Sequence, residues 1–191
     1  MENRRFWLSA AAIWGAIVAL LAGLGVHSAI PGPLFGALVG VEIFALLGLY
    51  ALAPSLRATL AGIDMRALTA FHIWRIPAGL AFLWAGDTGF LPETFAARAG
   101  WGDLSVGIAA LAVIALPERR WLYAAFHAFG MADFVLAVGT GLSFTFQEVP
   151  LMANIATFPL ALIPQFGVVL TGVLSILALA RLTRRATPVA P

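Results

Sequence analysis

The 191-residue sequence contains no cysteine and no lysine, and only 10% of its residues are charged. Without cysteine the chain has no disulfide, no thiolate nucleophile and no cysteine-ligated metal ion. Without lysine it forms no side-chain Schiff base of the retinal or pyridoxal kind. Soluble domains are about 25% charged. This chain therefore has too few charges to cover a surface that faces water.

Long apolar runs take the place of the missing charges, and apolar residues make up 62% of the chain. A helix needs about 20 apolar residues to cross the hydrocarbon core of a membrane. The sequence predicts an all-α integral membrane bundle, built as a single domain from residues 1–191. The six predicted spans are residues 6–26, 33–53, 67–86, 101–117, 121–140 and 160–182. Pro159 and Pro164 favour an interfacial position for residues 151–158, before the last span.

Arginine supplies all eleven basic residues, and its distribution predicts the orientation of the bundle. Only Arg98 falls in a loop on one side of the six-helix threading, and Arg75 falls inside a span. Excess basic residues mark the cytoplasmic side. We therefore expect both termini in the cytoplasm, in a bacterial cytoplasmic (inner) membrane. The arginines that share the predicted cytoplasmic side are Arg4, Arg5, Arg57, Arg66, Arg119, Arg120, Arg181, Arg184 and Arg185.

Ionisable residues in or near the spans are the candidates for a functional site. They are Glu42, His72, Arg75, Asp103, His127 and Asp133. A charge at mid-membrane costs about 2.5–3.5 kcal/mol on insertion scales, so such groups pair, face the bundle interior or become neutral.

Depth predicts which of these side chains meet. At a rise of about 1.5 Å per residue, His72 and His127 lie at nearly the same depth, and Arg75 lies about one turn deeper than His72. Glu42 and Asp133 lie within reach of Arg75 and are its two expected partners. Asp103 is expected apart from them, near the outer mouth of the bundle.

A tetrapyrrole site is one interpretation of this pattern. His72 and His127 could ligate one haem b axially, whereas a chlorophyll-like pigment needs only one histidine. Gly130, one turn from His127, would leave room for a flat macrocycle, and Arg75 could meet a propionate. The plainer alternative is that each histidine makes a hydrogen bond between helices.

A polar pathway is the second interpretation, in which the same residues relay protons or ions or bind a small anionic solute. Its plainer alternative is a buried Arg75–carboxylate pair that fixes the helix register. A third interpretation is a subunit whose GxxxG segment, Gly36 to Gly40, packs against other membrane subunits or a second copy. Besides membrane lipid and such subunits, no nucleic-acid partner is expected, because the arginines are dispersed. The motifs of soluble enzymes are missing from the sequence, so we expect a non-enzymatic role.

Three stretches of the chain resemble a group of bacterial multi-pass membrane proteins that has no established activity. They are "FLPETFAARAGWGDLSVGIAAL", "HAFGMADFVLAVGTG" and "PLALIPQFGVVLTGVLSILALARL". The shared features are an outer proline followed by Phe-Ala, a Gly-Asp pair at the start of a helix, and a final span that contains proline. The resemblance covers roughly residues 75–182 and implies membrane topology without a mechanism. Asp103 and Asp133 fall within these stretches, and Arg75 lies at the start of the region that the resemblance covers.

Overall fold

The computed structural model of the protein describes residues 2–183, so Arg184 and Arg185 lie outside the described residues. Within that range the chain is mostly helical and contains no strand, which confirms the prediction of an all-α protein. The helices are α1 (Glu2–Gly23), α2 (Gly32–Leu52), α3 (Pro54–Ala61), α4 (Met65–Phe71), α5 (Arg75–Asp87), α6 (Glu93–Ala115), α7 (Arg120–Phe146) and α8 (Val169–Thr183).

Five helical segments of the described chain are long and apolar enough to cross a membrane. They are α1, α2, α6, α7 and the segment Ile163–Thr183, in which the π-helical turn Ile163–Val168 continues into α8. Each overlaps one of the predicted spans. The remaining predicted span, residues 67–86, coincides with α4 and α5, which are separate helices.

A 3-10 turn, His72–Trp74, divides this third span. Pro77 explains why a new helix begins just before it. Proline has no backbone N–H and is tolerated only in the first turn of a helix. Pro77 is the third residue of α5, which begins at Arg75. The backbone therefore changes its hydrogen-bonding pattern at the two residues that attracted attention in the sequence, His72 and Arg75.

Together, α4 and α5 run antiparallel to α6 along its whole length. At one end Arg66 Nη2 donates to the carbonyl of Leu116 at 3.3 Å. Further along, a Cβ built on Gly79 would lie only 2.6 Å from the carbonyl oxygen of Gly100. Glycine is needed there because the two backbones approach too closely for a side chain. This contact makes α5 and α6 a closely packed pair of helices.

The start of α6 differs from the prediction, which began the fourth span near residue 101. The helix begins at Glu93, immediately after Pro92. Gly100 is a helical residue that packs against α5, and Arg98 lies in the first part of the helix and not in a loop. At a rise of about 1.5 Å per residue, Asp103 lies about 15 Å along the helix axis from the start of α6 at Glu93. Asp103 is therefore far from the helix end.

Arginine side chains cluster at one end of the bundle, which we name the basic end. Arg66 lies there, Arg120 Nε donates to the carbonyl of Leu182 at 2.9 Å, and Arg181 Nη1 donates to the carbonyl of Ile63 at 3.0 Å. Each of these carbonyls lies at or just beyond the C-terminal end of a helix, where backbone acceptors have no partner in the helix. Cations there also complement the helix dipole.

The chain between α7 and α8 crosses the opposite end of the bundle. It forms a 3-10 turn, Met152–Ala156, and a cis peptide between Phe158 and Pro159 before the π-helical turn. The buried side chain of Gln165, in that turn, donates to the carbonyl of Phe35 in α2 at 3.0 Å. This contact ties the last segment to α2. The interfacial position of residues 151–158 stays a prediction.

Candidate functional site

The centre of the site is a buried ion-pair triad of Arg75, Asp103 and Asp133. Arg75 Nε donates to Asp103 Oδ1 at 2.6 Å, and its Nη2 donates to Asp133 Oδ2. The three residues are only 3%, 6% and 8% exposed. They come from three helices, α5, α6 and α7. One guanidinium thus joins three helices through charge-assisted hydrogen bonds.

Space for the triad depends on Gly102, which precedes Asp103 on α6. A Cβ at position 102 would overlap the carboxylate of Asp133. The Gly-Asp pair noted in the sequence therefore has two separate roles. Asp103 supplies one carboxylate, and Gly102 leaves room for the other.

The triad matches one of the two partners expected for Arg75 and replaces the other. Asp133 pairs with Arg75 as expected. Glu42 does not join the triad. It is half-buried on α2, and its Oε2 has no hydrogen-bond partner among the described residues. Asp103, expected near the mouth, takes its place because α6 begins early enough to carry Asp103 to the depth of Arg75.

The two histidines meet next to the triad, as their matched depths suggested. His72 and His127 are both 0% exposed, and their ring centroids lie 5.3 Å apart with an interplanar angle of 71°. Ser175 Oγ of α8 lies 3.4 Å from His72 Nε2. The ring of Phe126 packs edge-on against both imidazoles, at 5.1 Å from each.

Hydroxyl groups extend this pair into what we name the histidine cluster: Thr69, His72, Tyr123, His127 and Ser175. All five side chains are buried. Thr69 lies three residues before His72, and Tyr123 lies four residues before His127, which places each hydroxyl one turn nearer the basic end on the same helix face. Sequence analysis missed all three hydroxyl residues. The three- and four-residue spacings were the signal that could have revealed Thr69 and Tyr123.

Several polar atoms of this region are buried and have no hydrogen-bond partner among residues 2–183. They are Thr69 Oγ1, His72 Nδ1, Arg75 Nη1, Tyr123 Oη, His127 Nδ1 and His127 Nε2. Burying one such group without a partner costs about 1–3 kcal/mol. Buried polar groups normally bond to protein atoms or to ordered water, so these atoms are available to such a partner.

In this arrangement His72 and His127 are not placed as the two axial ligands of one haem, and a pigment held by a single histidine stays a prediction. The imidazoles touch edge to face, so one ring presents its face, and not a nitrogen, to the other. Axial ligands of one haem must instead point their nitrogens at each other across the macrocycle. Gly130, expected to leave room for that macrocycle, is surrounded: a Cβ there would lie 3.5 Å from Val106 Cγ1 and 4.0 Å from His72 Cε1. Within residues 2–183, no group of three or more His, Asp or Glu side chains could hold a metal ion either.

A cavity of about 490 Å³ lies on the other side of the triad. Arg75 and Asp103 lie at its inner end, and Ser28 and Glu148 line it at the end of the bundle opposite the basic end. No residue of the histidine cluster lines it. Most of the wall is apolar, and it includes six aromatic side chains: Phe35, Trp74, Phe82, Phe95, Phe134 and Phe144.

Trp74, directly before Arg75, is the best-anchored part of this wall. Its Nε1 donates to Thr171 Oγ1 of α8 at 3.1 Å. Its ring lies against Gly167, where any side chain would collide with the indole. The indole is therefore fixed in position by the last helical segment, next to the guanidinium of the triad.

Comparison with known protein families identifies the family of this chain. The family described as "Domain of unknown function (DUF8737)" matches residues 33–183. The chain belongs to this family. The DUF8737 match runs from α2 to α8 and contains the triad, the histidine cluster and all of the cavity wall except residues before position 33. No curated protein and no solved structure matches the chain.

Proposed function

We propose that this protein is a multi-pass protein of the bacterial cytoplasmic membrane that binds a small, largely apolar ligand in the cavity. The polar part of the ligand meets Arg75 and Asp103 at the inner end. The cavity itself carries this proposal. Small-molecule sites are typically about 300–1,000 Å³, mostly apolar, and equipped with a few placed polar groups. The cavity of about 490 Å³, with its aromatic wall and its guanidinium–carboxylate pair, has all three properties.

The membrane placement rests on the surface of the bundle. Large apolar side chains are exposed on every long helix, among them Phe44 at 76%, Val135 at 62% and Trp101 at 60%. Lipid is the solvent that suits such a surface. The five uninterrupted helices and the α4–α5 pair then make six crossings. The positive-inside rule assigns the basic end to the cytoplasm, together with both termini.

This placement puts the mouth of the cavity on the outer side of the membrane. The ligand therefore enters from outside and stops at the triad. The histidine cluster lies between the triad and the basic end, so passage of a proton or ion further inward would go through it. Intramembrane ionisable groups are the usual components of such paths.

A role as a subunit receives less support from the structure. The first glycine of the GxxxG segment that suggested it packs within the chain, since a Cβ at Gly36 would lie 2.8 Å from Leu142 Cδ2 of α7. Gly36 therefore serves the packing of α2 against α7. Nothing lies within 4 Å of a Cβ at the second glycine, Gly40.

The proposal is tested by filling the cavity. Val138 lines it, whereas Val135, on the same helix, is 62% exposed and does not line it. We expect Val138→Trp to abolish binding of small probes and Val135→Trp to leave it unchanged. Three probes of similar size are used with the full chain in detergent: phenyltrimethylammonium, tert-butylbenzene and benzenesulfonate. Binding is measured by equilibrium dialysis.

The proposal requires that at least one probe saturates a single site in the wild-type protein. If no probe does so, or if Val138→Trp binds all three as the wild type does, the cavity is not a ligand site.

A further inference from the structure

The charge around the cavity is predominantly negative. Its ionisable lining residues are Arg75, Asp103 and Glu148. Arg75 is also paired with Asp133, directly behind the wall. One guanidinium thus faces three carboxylates in and around this space.

Arg75 is poorly placed to bind an anion in the cavity. Its Nε is bonded to Asp103 and its Nη2 to Asp133, and its unpaired Nη1 lies on the side of Gly130 and His72. An anionic ligand in the cavity would therefore compete with these carboxylates for Nε and Nη2. Breaking a buried ion pair is strongly destabilising. The expectation of an anionic solute, which rested on the positive charge of Arg75 alone, is therefore unfavourable in this geometry.

The mouth of the cavity adds no positive charge. His27 packs against Phe35, one of the lining residues, with ring centroids 5.9 Å apart. The side chain is buried, and this burial lowers its pKa from the ordinary value of 6.5. His27 is therefore neutral at pH 7. The exposed carboxylate of Glu148 is the charged group at this end of the cavity.

The aromatic wall is suited to a cation with apolar substituents. Six aromatic rings line a space of about 490 Å³. The faces of Trp and Phe rings attract cations, most strongly where water is excluded. Sites for quaternary ammonium groups combine such rings with a nearby negative charge, because the ammonium group has no N–H to donate and cannot use a hydrogen-bonding site.

We propose that the ligand of the cavity is an apolar organic cation, of the quaternary ammonium class, held by the aromatic wall and by the excess of carboxylates. This inference rests on the proposed function and names the chemical class of its ligand. The positive group lies near Asp103, and the apolar substituents contact the rings between Asp103 and the mouth.

The test compares the affinities of the three probes, measured by isothermal titration calorimetry on the full chain in detergent. Phenyltrimethylammonium and tert-butylbenzene have nearly the same shape and differ in charge. We expect the cation to bind at least about tenfold more tightly than its neutral counterpart, which corresponds to about 1.4 kcal/mol. We expect benzenesulfonate to bind most weakly.

Two matched pairs of variants show which residues cause the preference for the cationic probe. Phe144 lines the cavity, whereas Phe146, on the same helix, is 69% exposed and does not. We expect Phe144→Leu to reduce the ratio of cation to neutral affinity about threefold and Phe146→Leu to leave the ratio unchanged. Likewise, we expect Glu148→Gln to weaken cation binding about threefold with little effect on tert-butylbenzene. Glu93→Gln, at an exposed carboxylate outside the cavity, should change neither.

The outcomes separate this inference from the proposed function. Equal binding of the cation and tert-butylbenzene overturns the cation assignment and leaves the cavity as a ligand site. Tightest binding of benzenesulfonate also overturns the assignment and restores an anion site at Arg75. Binding of none of the probes overturns the proposed function as well.

Discussion

The cavity and the histidine cluster lie on opposite sides of one ion-pair triad and have opposite properties. The cavity has about 490 Å³ of space and a mostly apolar wall. The histidine cluster has several polar atoms without described partners, and its two imidazoles are packed against each other and against Phe126. Space and polar chemistry are therefore separated along the bundle. Arg75 is the link, because it lines the cavity and its Nη1 lies on the side of Gly130 and His72.

Of the substitutions considered, removing the guanidinium of Arg75 should have the largest effect on stability. We expect Arg75→Leu to lower the free energy of unfolding by about 3–5 kcal/mol, because Asp103 and Asp133 would be left buried without a cation. Titration with sodium dodecyl sulfate, followed by circular dichroism, measures this change.

The matched control removes the whole triad. Replacing Arg75, Asp103 and Asp133 together by leucine should restore at least the wild-type stability, since exchanging buried ions for apolar residues is often neutral or stabilising. A triple variant as unstable as Arg75→Leu would show that the loss arises from packing and not from charge.

Adding a methyl group beside the triad should have an intermediate effect on stability. In Gly102→Ala the new methyl group overlaps the Asp133 carboxylate, and we expect a loss of about 2 kcal/mol. Gly139→Ala is the control on α7, because nothing lies within 4 Å of a Cβ there. We expect that variant to be more stable by up to about 1 kcal/mol, from helix propensity alone. The same unfolding titration distinguishes them, and equal effects of the two substitutions would contradict the geometry given for the triad.

Added haem should not bind at the two histidines. Because the two imidazoles touch edge to face, we expect added haem b to produce no saturable Soret band with the purified protein. His127→Ala provides the background signal. A sharp band that saturates at one equivalent and disappears in both His72→Ala and His127→Ala would show that the rings separate to admit the macrocycle.

Sequence periodicity was sufficient for the helical fold and for part of the site. Long apolar runs predict helices wherever a chain has few charges. Counting 1.5 Å per residue from Arg66 and Arg120 placed His72 and His127 at one depth, where the structure brings their rings together. The same counting made Asp133 a partner of Arg75, and the two are bonded.

Asp103 and the cavity could not be predicted in this way. The predicted start of the fourth span at residue 101 treats Gly100 as part of a turn, whereas Gly100 and Gly102 are helical residues that contact other helices. Depth along one helix is a local property, but these contacts are tertiary. The cavity wall likewise combines residues from α2, the turn before α5, α6 and α7. No single periodic pattern contains that combination.

The interruption at His72–Trp74 has a consequence for anyone who maps the topology with reporter fusions. Uninterrupted helices of crossing length number five within residues 2–183. An odd number of crossings would put the first and last residues on opposite faces of the bilayer. In the proposed membrane placement, the α4–α5 pair, which runs the length of α6, adds one crossing and makes the number even. Under that placement, three residues of 3-10 geometry determine whether a helix count assigns the C-terminus to the correct compartment.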